Sequence, residues 1–159
     1  MSNTPRATRK VEVRPSIESD VLLIAPRMRE ADKQEVKAEG NHSPLSALGS
    51  SYFLSTRCYT VTVDDSPEVM FGVVDLDNFG GVWLLGTDVV FSEVPKKFLR
   101  ESKKWLAKLS EPYEIVGNFV DSRNVVHRRW LEWLGFVGVS TEEAFGYEKR
   151  PFIKYIRYV

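Results

Sequence analysis

The chain has 159 residues, of which 43% are apolar, 28% charged and 12% aromatic; that is the apolar mass of one folded domain, which excludes disorder along its whole length and two domains of ordinary size. Lysine and arginine number 22 and aspartate and glutamate 22, a formal net charge of zero, so no overall field favours nucleic acid or an anionic membrane. One cysteine, Cys58, excludes an intramolecular disulfide and every cysteine-based zinc or iron–sulfur site, and fits a reducing, intracellular setting.

Met1–Lys10 has no apolar stretch of the signal-peptide kind, and no apolar run reaches the roughly 18 residues of a membrane helix, so a soluble, non-secreted protein is expected. Residues 1–10 read as a flexible N-terminal arm made basic by Arg6, Arg9 and Lys10, either a solvated tail or a dock for an acidic partner. Residues 11–159 form the domain. Val11–Arg14 alternates apolar and charged residues and stops at Pro15, a short strand. Ser16 is the expected N-cap of a helix carrying Glu18, Ser19 and Asp20 in its first turn and Val21, Leu22, Ile24 and Ala25 as its apolar stripe, broken at Pro26. Arg29–Glu39 continues as a charged helix ending at Gly40-Asn41, a pair that favours left-handed backbone, and Ser43-Pro44 reopens a helix through Phe53.

The period then switches to two. Cys58–Val63 and Val69–Leu76 predict a hairpin around Asp64-Asp65-Ser66-Pro67, a turn follows at Asp77-Asn78-Phe79-Gly80-Gly81, and Val82–Val90 predicts a central strand. Pro95 opens a helix to Leu109 with Phe98, Leu99, Ser102, Trp105, Leu106 and Leu109 on one face. The opposite face carries Lys96, Lys97, Arg100, Lys103, Lys104 and Lys108, read as solvated or as a surface for an acidic partner. Ile115–Val120, Phe136–Val139 and Phe152–Val159 predict strands, and Asn124–Leu134 a helix stopped by Gly135, with Trp130, Trp133 and Leu134 facing the sheet. This order predicts an α/β sheet with helices on both faces. His42 and His127 are isolated and give no metal-binding spacing, and Cys58 reads as a small buried hydrophobe.

The stretch Asn124-Val125-Val126-His127-Arg128-Arg129-Trp130-Leu131-Glu132-Trp133-Leu134-Gly135-Phe136 resembles the late motif of the GNAT superfamily of N-acetyltransferases, an Asn opening a helix that ends in Leu-Gly-Phe. Five further segments resemble the phage Gp13-like branch of that fold, found in podophage internal virion protein A: Arg29-Glu30-Ala31-Asp32 with Glu35-Val36; Met70-Phe71-Gly72-Val73; Trp83-Leu84-Leu85-Gly86-Thr87-Asp88; Phe98-Leu99-Arg100 with Ser102 and Trp105; and Asn118-Phe119-Val120-Asp121 with Arg123-Asn124. The resemblance implies a single GNAT-like α/β domain with a mixed, mostly antiparallel twisted sheet. It also implies acetyl-CoA as cofactor with no metal, and a phage protein of the host cytoplasm or virion with a phage or host protein as partner.

In such enzymes the acyl group passes directly from thioester to amine, with the pyrophosphate held on glycine-rich backbone at a helix N-terminus. Here the matching stretch, Val89–Lys97, contains no glycine, places Glu93 near the expected anion and loses an N–H at Pro95. The resemblance maps cofactor binding onto Val89, Val90, Lys96, Lys97 and Asn124. The position of the superfamily's tyrosine acid is Leu131, which cannot move a proton, and Asp88 is the first candidate base, with Asp75 and Asp77 behind it. Two functions follow: a GNAT-fold component of virion assembly or host interaction with lost or weak acyl transfer, or a working acetyl-CoA-dependent N-acetyltransferase. In the first, Phe91 would plug the cleft.

Overall fold

Alternating apolar residues build seven strands that join one sheet in the order β1-β2-β3-β4-β5-β7-β6. The computed structural model describes residues 8–77 and 79–159. Of the expected arm, residues 1–7 lie outside the described residues, as does Asn78 of the third turn. The strands are β1 (Val11–Pro15), β2 (Ser55–Val63), β3 (Ser66–Asp75), β4 (Phe79–Gly86), β5 (Ile115–Asp121), β6 (Val137–Phe145) and β7 (Arg150–Tyr158). All neighbours pair antiparallel except β4 and β5, which run parallel. The β2–β3 hairpin turns on Asp64 and Asp65 alone, both at positive φ (48° and 67°), the conformation of a two-residue hairpin turn. Ser66 and Pro67 already belong to β3.

One face of the sheet, with Met70, Trp83 and Leu85, packs under α1 (Glu18–Ile24), α2 (Glu30–Gly40) and α3 (Pro44–Leu54). The other face, with Val69, Phe71, Val73, Val82 and Leu84, packs under α4 (Val89–Glu93), α5 (Pro95–Ser110) and α6 (Val125–Trp133). This is the α/β sheet with helices on both faces that the residue order predicts, mixed and mostly antiparallel as the resemblance implies. The helix signals hold at α2, which ends on left-handed Asn41 (φ 56°), and at α3, where Ser43 accepts the Ser46 N–H at 3.1 Å. At α6, Asn124 caps the start and Gly135 (φ 91°) follows the end.

Three expectations are corrected. The run Val82–Val90 is not one strand: β4 starts at Phe79, so Phe79-Gly80-Gly81 of the expected turn are strand, and it ends at Gly86, while Val89 and Val90 open the short helix α4. Gly86 lies so close to β3 that a Cβ there would fall 2.6 Å from the Glu68 carbonyl oxygen. Trp133 does not face the sheet but is 48% exposed, its indole N–H donating to the Leu99 carbonyl at 3.2 Å. Ser16 is not the N-cap of α1: Ile17 occupies that position, and Asp20 reaches back to accept the Ile17 N–H at 3.0 Å.

Asp20 ties three elements together. Its carboxylate, 1% exposed, takes two hydrogen bonds from Arg14 of β1 at 2.8 Å each and one from Thr60 of β2 at 2.8 Å. Burial works against the charge, but Arg14, the Ile17 N–H and Thr60 together hold the Asp20 carboxyl below the usual range. Stability from this group is therefore full above the unfolded carboxyl value near pH 4 and fades as pH falls through the lower folded value. Asp20→Asn is expected to cost about 2 kcal/mol at pH 7, with the gap to wild type narrowing below about pH 4. Urea unfolding at pH 7 and pH 3 checks this, and an equal gap at both contradicts it.

Candidate functional site

β4 and β5 pair only from Phe79↔Ile115 to Gly81↔Gly117 and then part. The close start is possible because Gly117 has no side chain: a Cβ there would lie 2.3 Å from the Tyr155 carbonyl oxygen and 2.8 Å from the Phe79 ring. Beyond Gly81, β4 stays with β3 as far as Gly86 while β5 stays with β7 as far as Asp121. The two strands open into a V whose β4 edge has no neighbouring strand.

Two carboxylates one helical turn apart on α2 span the open end of the V. Asp32 accepts the Gly86 N–H at 3.2 Å, the Asn124 amide at 3.0 Å and the Arg29 guanidinium at 3.2 Å. Glu35 accepts the Asp121 N–H at 3.1 Å and the Asn124 amide at 2.6 Å, and lies 3.5 Å from His127 Nδ1. The Gly86 carbonyl in turn accepts the Arg29 N–H at 2.8 Å. Arg29, Asp32, Glu35, Asn124 and His127 are all buried. Burial pushes the Asp32 carboxyl up and the Glu35 charge adds to this, while Arg29, His127 and the Asn124 hydrogen bond work against it. Burial also opposes the Asp121 charge, but Arg123 and Arg150 hold that carboxyl below the usual range.

Behind the clamp is a cavity of about 330 Å³ between α2, α3 and the parted strands, lined by Glu35, Glu39, His42, Trp83, Phe119 and His127 among others. Trp83 is fixed by its indole N–H on Ser55 Oγ at 2.7 Å. The α2 end of the cavity is held by the β6–β7 turn, where the N–H groups of Tyr147 and Glu148 donate to the Glu39 and Ala38 carbonyls at 2.9 Å each. Gly146 (φ 71°) permits that approach, since a Cβ would sit 2.7 Å from both carbonyl oxygens. Glu39 reaches the surface, yet desolvation on its inner side and the Glu35 charge push its carboxyl up, against the pull of His42. His127 is 3% exposed, and neither ring nitrogen has a hydrogen-bond partner among the described residues.

A second cleft, of about 650 Å³, opens at the start of α5 and is lined by Arg9, Ser92, Glu93, Lys96 and Lys97 among others. Arg9 pairs with both Glu93 and Asp64 and so balances the carboxylate that the sequence places at the expected anion position. Lys97 Nζ donates to the Arg9 carbonyl at 3.1 Å. The segment after β4 is anchored by buried Glu68, which accepts from Arg27 at 2.9 and 3.1 Å and from Thr87 at 2.5 Å. Thr87 Oγ1 then receives the Val89 N–H at 3.3 Å, leaving Val90 and Phe91 as first-turn N–H groups without an intrahelical acceptor.

The sequence-nominated residues thus separate into groups. Lys96 and Lys97 lie together at the α5 cleft, and the Val90 side chain is fully buried in the core. Asn124 sits in the clamp, its amide already donating to Asp32 and Glu35 while its oxygen accepts the His127 N–H at 3.4 Å. Asp88 lies outside the cavity, 81% exposed and 3.4 Å from Arg29 Nε. Asp75, the last residue of β3, and Asp77, in the turn that follows, are both exposed, with the Asp77 N–H on Asp75 Oδ1 at 3.2 Å. Leu131 is wholly buried core. Cys58 is half-buried, its thiol donating to Ser16 at 3.3 Å and pushed by desolvation up to about 11, which leaves it unreactive near neutral pH. Among the described residues, no group of three or more His, Cys, Asp or Glu side chains is placed to hold a metal ion, and no helix is long and apolar enough to cross a membrane.

Neither a protein-family model nor a curated protein sequence matches the chain. Solved structures do. A GNAT-family acetyltransferase from Bacillus anthracis superposes with a TM-score of 0.70 at 8% identity over 93% of this chain and 94% of that one. The ribosomal-protein-S18-alanine N-acetyltransferase of Escherichia coli gives 0.64 at 11% identity over 92% of each chain. The Salmonella typhimurium protein yncA, solved with its cofactor acetyl-CoA, gives 0.65 at 9% identity over 93% of each. The fold is that of the GNAT acetyltransferases.

Removing one partner from the clamp strands a buried charge. Asp32→Ala, which leaves the Gly86 N–H without its acceptor and buried Arg29 with only the exposed Asp88, is expected to cost about 3–5 kcal/mol by urea unfolding, and Asp32→Asn less. A loss under about 1 kcal/mol for Asp32→Ala would show that the clamp does not hold the strand ends.

Proposed function

We propose that the protein is an acyl-CoA-dependent N-acyltransferase acting on a primary amine. The observation that carries this reading is the parted β4–β5 edge with a buried, partnerless imidazole in the cavity behind it and a cationic cleft at the start of α5. The residues present fit a phosphate-bearing cofactor. Lys96 and Lys97 supply cations at the N-terminal end of a 16-residue helix, where backbone N–H groups also favour an anion. Arg9 offsets Glu93, the one carboxylate lining that cleft, and so does part of the work that glycine-rich backbone does elsewhere in the fold. Acetyl-CoA, when bound, would supply an activated acyl thioester. The chain's own residues then hold its phosphates at Lys96 and Lys97, offer the free β4 edge around Leu84 to an extended arm, and exclude water with the walls of Trp83 and Phe119.

A second reading, a GNAT-fold component of phage origin that acts through contacts with a phage or host protein in the host cytoplasm or virion and has lost efficient transfer, is favoured by one feature. The Phe91 ring lies 4.9 Å from the Arg29 guanidinium and packs edge-on against Phe98, so it covers Arg29 on the clamp.

Titration of the purified protein with acetyl-CoA and with free CoA separates the two. A ligand at about 100 times its Kd adds roughly 2.7 kcal/mol, a rise in Tm of several degrees. The acyltransferase reading expects saturable stabilisation by both compounds, weakened roughly tenfold or more by the double substitution Lys96→Ala and Lys97→Ala. No rise in Tm at millimolar CoA removes it and leaves the binding component.

A further inference from the structure

We propose that the outward face of α5, together with the exposed indole of Trp133 at the end of α6, binds single-stranded nucleic acid, with phosphates on the lysines and arginines and a base stacked on the indole. The inference does not depend on the acyltransferase reading. Pro95–Ser110 carries six cations, Lys96, Lys97, Arg100, Lys103, Lys104 and Lys108, against one carboxylate, Glu101, a net charge of +5 on one helix of a chain whose net charge is zero. Among the described residues none of the six forms an ion pair, whereas Arg57 pairs with Glu111 just beyond the end of the helix and Arg9 with Glu93 just before its start. Spacings of three and four residues set the cations in a stripe on the side away from buried Phe98, Leu106 and Leu109, and at about 1.5 Å per residue the stripe runs roughly 18 Å from Lys96 to Lys108.

Trp133 supplies what a cationic helix alone lacks. Its indole N–H is held by the Leu99 carbonyl at 3.2 Å, and Lys103 Nζ lies 4.3 Å from the ring centroid, so the half-exposed ring is fixed in orientation beside a cation. The ring lines two surface clefts, one of about 370 Å³ with Lys96, Leu99 and Arg100, the other of about 280 Å³ with Lys103, Gly135 and Arg157 among others. A fixed aromatic plane with cations in both clefts beside it fits a nucleobase and its flanking phosphates, and such stacking accepts any base. Other anionic partners match less of this surface. A duplex keeps its base faces inside the stack, and an acidic peptide offers carboxylates to the lysines but no plane to the ring. An anionic membrane requires an exposed apolar stripe, and α5 turns its own stripe into the core. Because the rest of the chain carries the opposite charge, attraction is confined to this face and falls as salt rises.

The test uses the full chain and a dye-labelled oligothymidylate of about 15 nucleotides, within the site size of single-strand binders, followed by anisotropy and by tryptophan emission; a duplex and a polyglutamate of the same length are the counterparts. The expected result is saturable binding at about 50 mM salt that weakens as salt rises, with quenching of tryptophan emission that is lost in Trp133→Phe. The double substitution Lys103→Glu and Lys104→Glu is expected to weaken binding at least about tenfold and to flatten the salt dependence. Trp133→Ala is expected to weaken it about tenfold, and Trp133→Phe to keep most of the affinity. All three positions are exposed, so melting temperatures stay close to wild type. CoA is expected to stabilise the Lys103→Glu, Lys104→Glu variant as it does wild type, so failure of CoA to bind removes the acyltransferase reading without touching this one. No binding of oligothymidylate at about 50 mM salt and protein of about 100 µM, or an affinity unchanged in both the lysine and the Trp133→Ala variants, overturns the proposal. Equally tight binding of the duplex, or of polyglutamate, with Trp133→Ala without effect also overturns it, and makes the face a dock for a duplex or for an acidic protein instead.

Discussion

The arrangement of the whole site depends on two carboxylates of one helix bridging two strand ends that do not touch. Asp32 holds Gly86 of β4, Glu35 holds the Asp121 N–H of β5, and Asn124 joins the two acids from α6. Without that bridge the V between β4 and β5 would have buried backbone groups at its open end and nothing to satisfy them, a cost of about 1–3 kcal/mol for each. The chemistry also explains the choice of residues: the two acids differ by one methylene, and each reaches a different strand end from positions one helical turn apart. An apolar plug of equal volume could match the stability but could not accept both N–H groups. The clamp therefore fixes the gap, and the gap defines the cavity.

The segment after β4 is marked by paired charges and holds no glycine from Val89 to Lys97. A glycine-rich loop binds an anion through backbone approach; the charges around this segment come from elsewhere in the chain. Arg27 and Thr87 converge on Glu68 to fix the loop, Arg9 takes Glu93, and the two lysines stand at the helix start. Arg29 plays a double part, joining Asp32 inside and Asp88 and the Phe91 ring outside.

Much of the fold was legible because its signals are local: period-two strands, caps at Ser43 and Asn124, and left-handed Asn41 and Gly135. The limit of β4 was not. VWLLGTDVV is apolar at both ends with Gly86-Thr87-Asp88 between, and periodicity alone does not separate a buried strand from a strand followed by a helical turn; the break falls at Gly86, the last residue of β4 paired with β3. The site was legible in part. The helix start placed Lys96 and Lys97 together, and the motif placed Asn124 as the cap of α6, though not its amide on Asp32 and Glu35. Asp88 drew attention because it ends an apolar strand, yet its carboxylate faces solvent. Arg29, Asp32 and Glu35 are spaced three apart, as are Asn124 and His127, and that spacing put them on shared helix faces. What a single sequence could not show is that the two faces meet across a separation of 92 residues from Asp32 to Asn124.

His127 is where the reading of residue types and the reading of geometry part company. As a lone histidine in a helix it reads as structural, and its neighbours Trp130 and Leu131 are indeed core. A structural histidine in that position should have both nitrogens satisfied or be replaced by an apolar residue, because a buried unpaired polar group costs about 1–3 kcal/mol. Asn124 and the acids around it meet this condition fully; the imidazole beside them does not. The clamp thus satisfies its acids and its amide and leaves this ring without a hydrogen-bond partner among the described residues, on a residue that also lines the cavity.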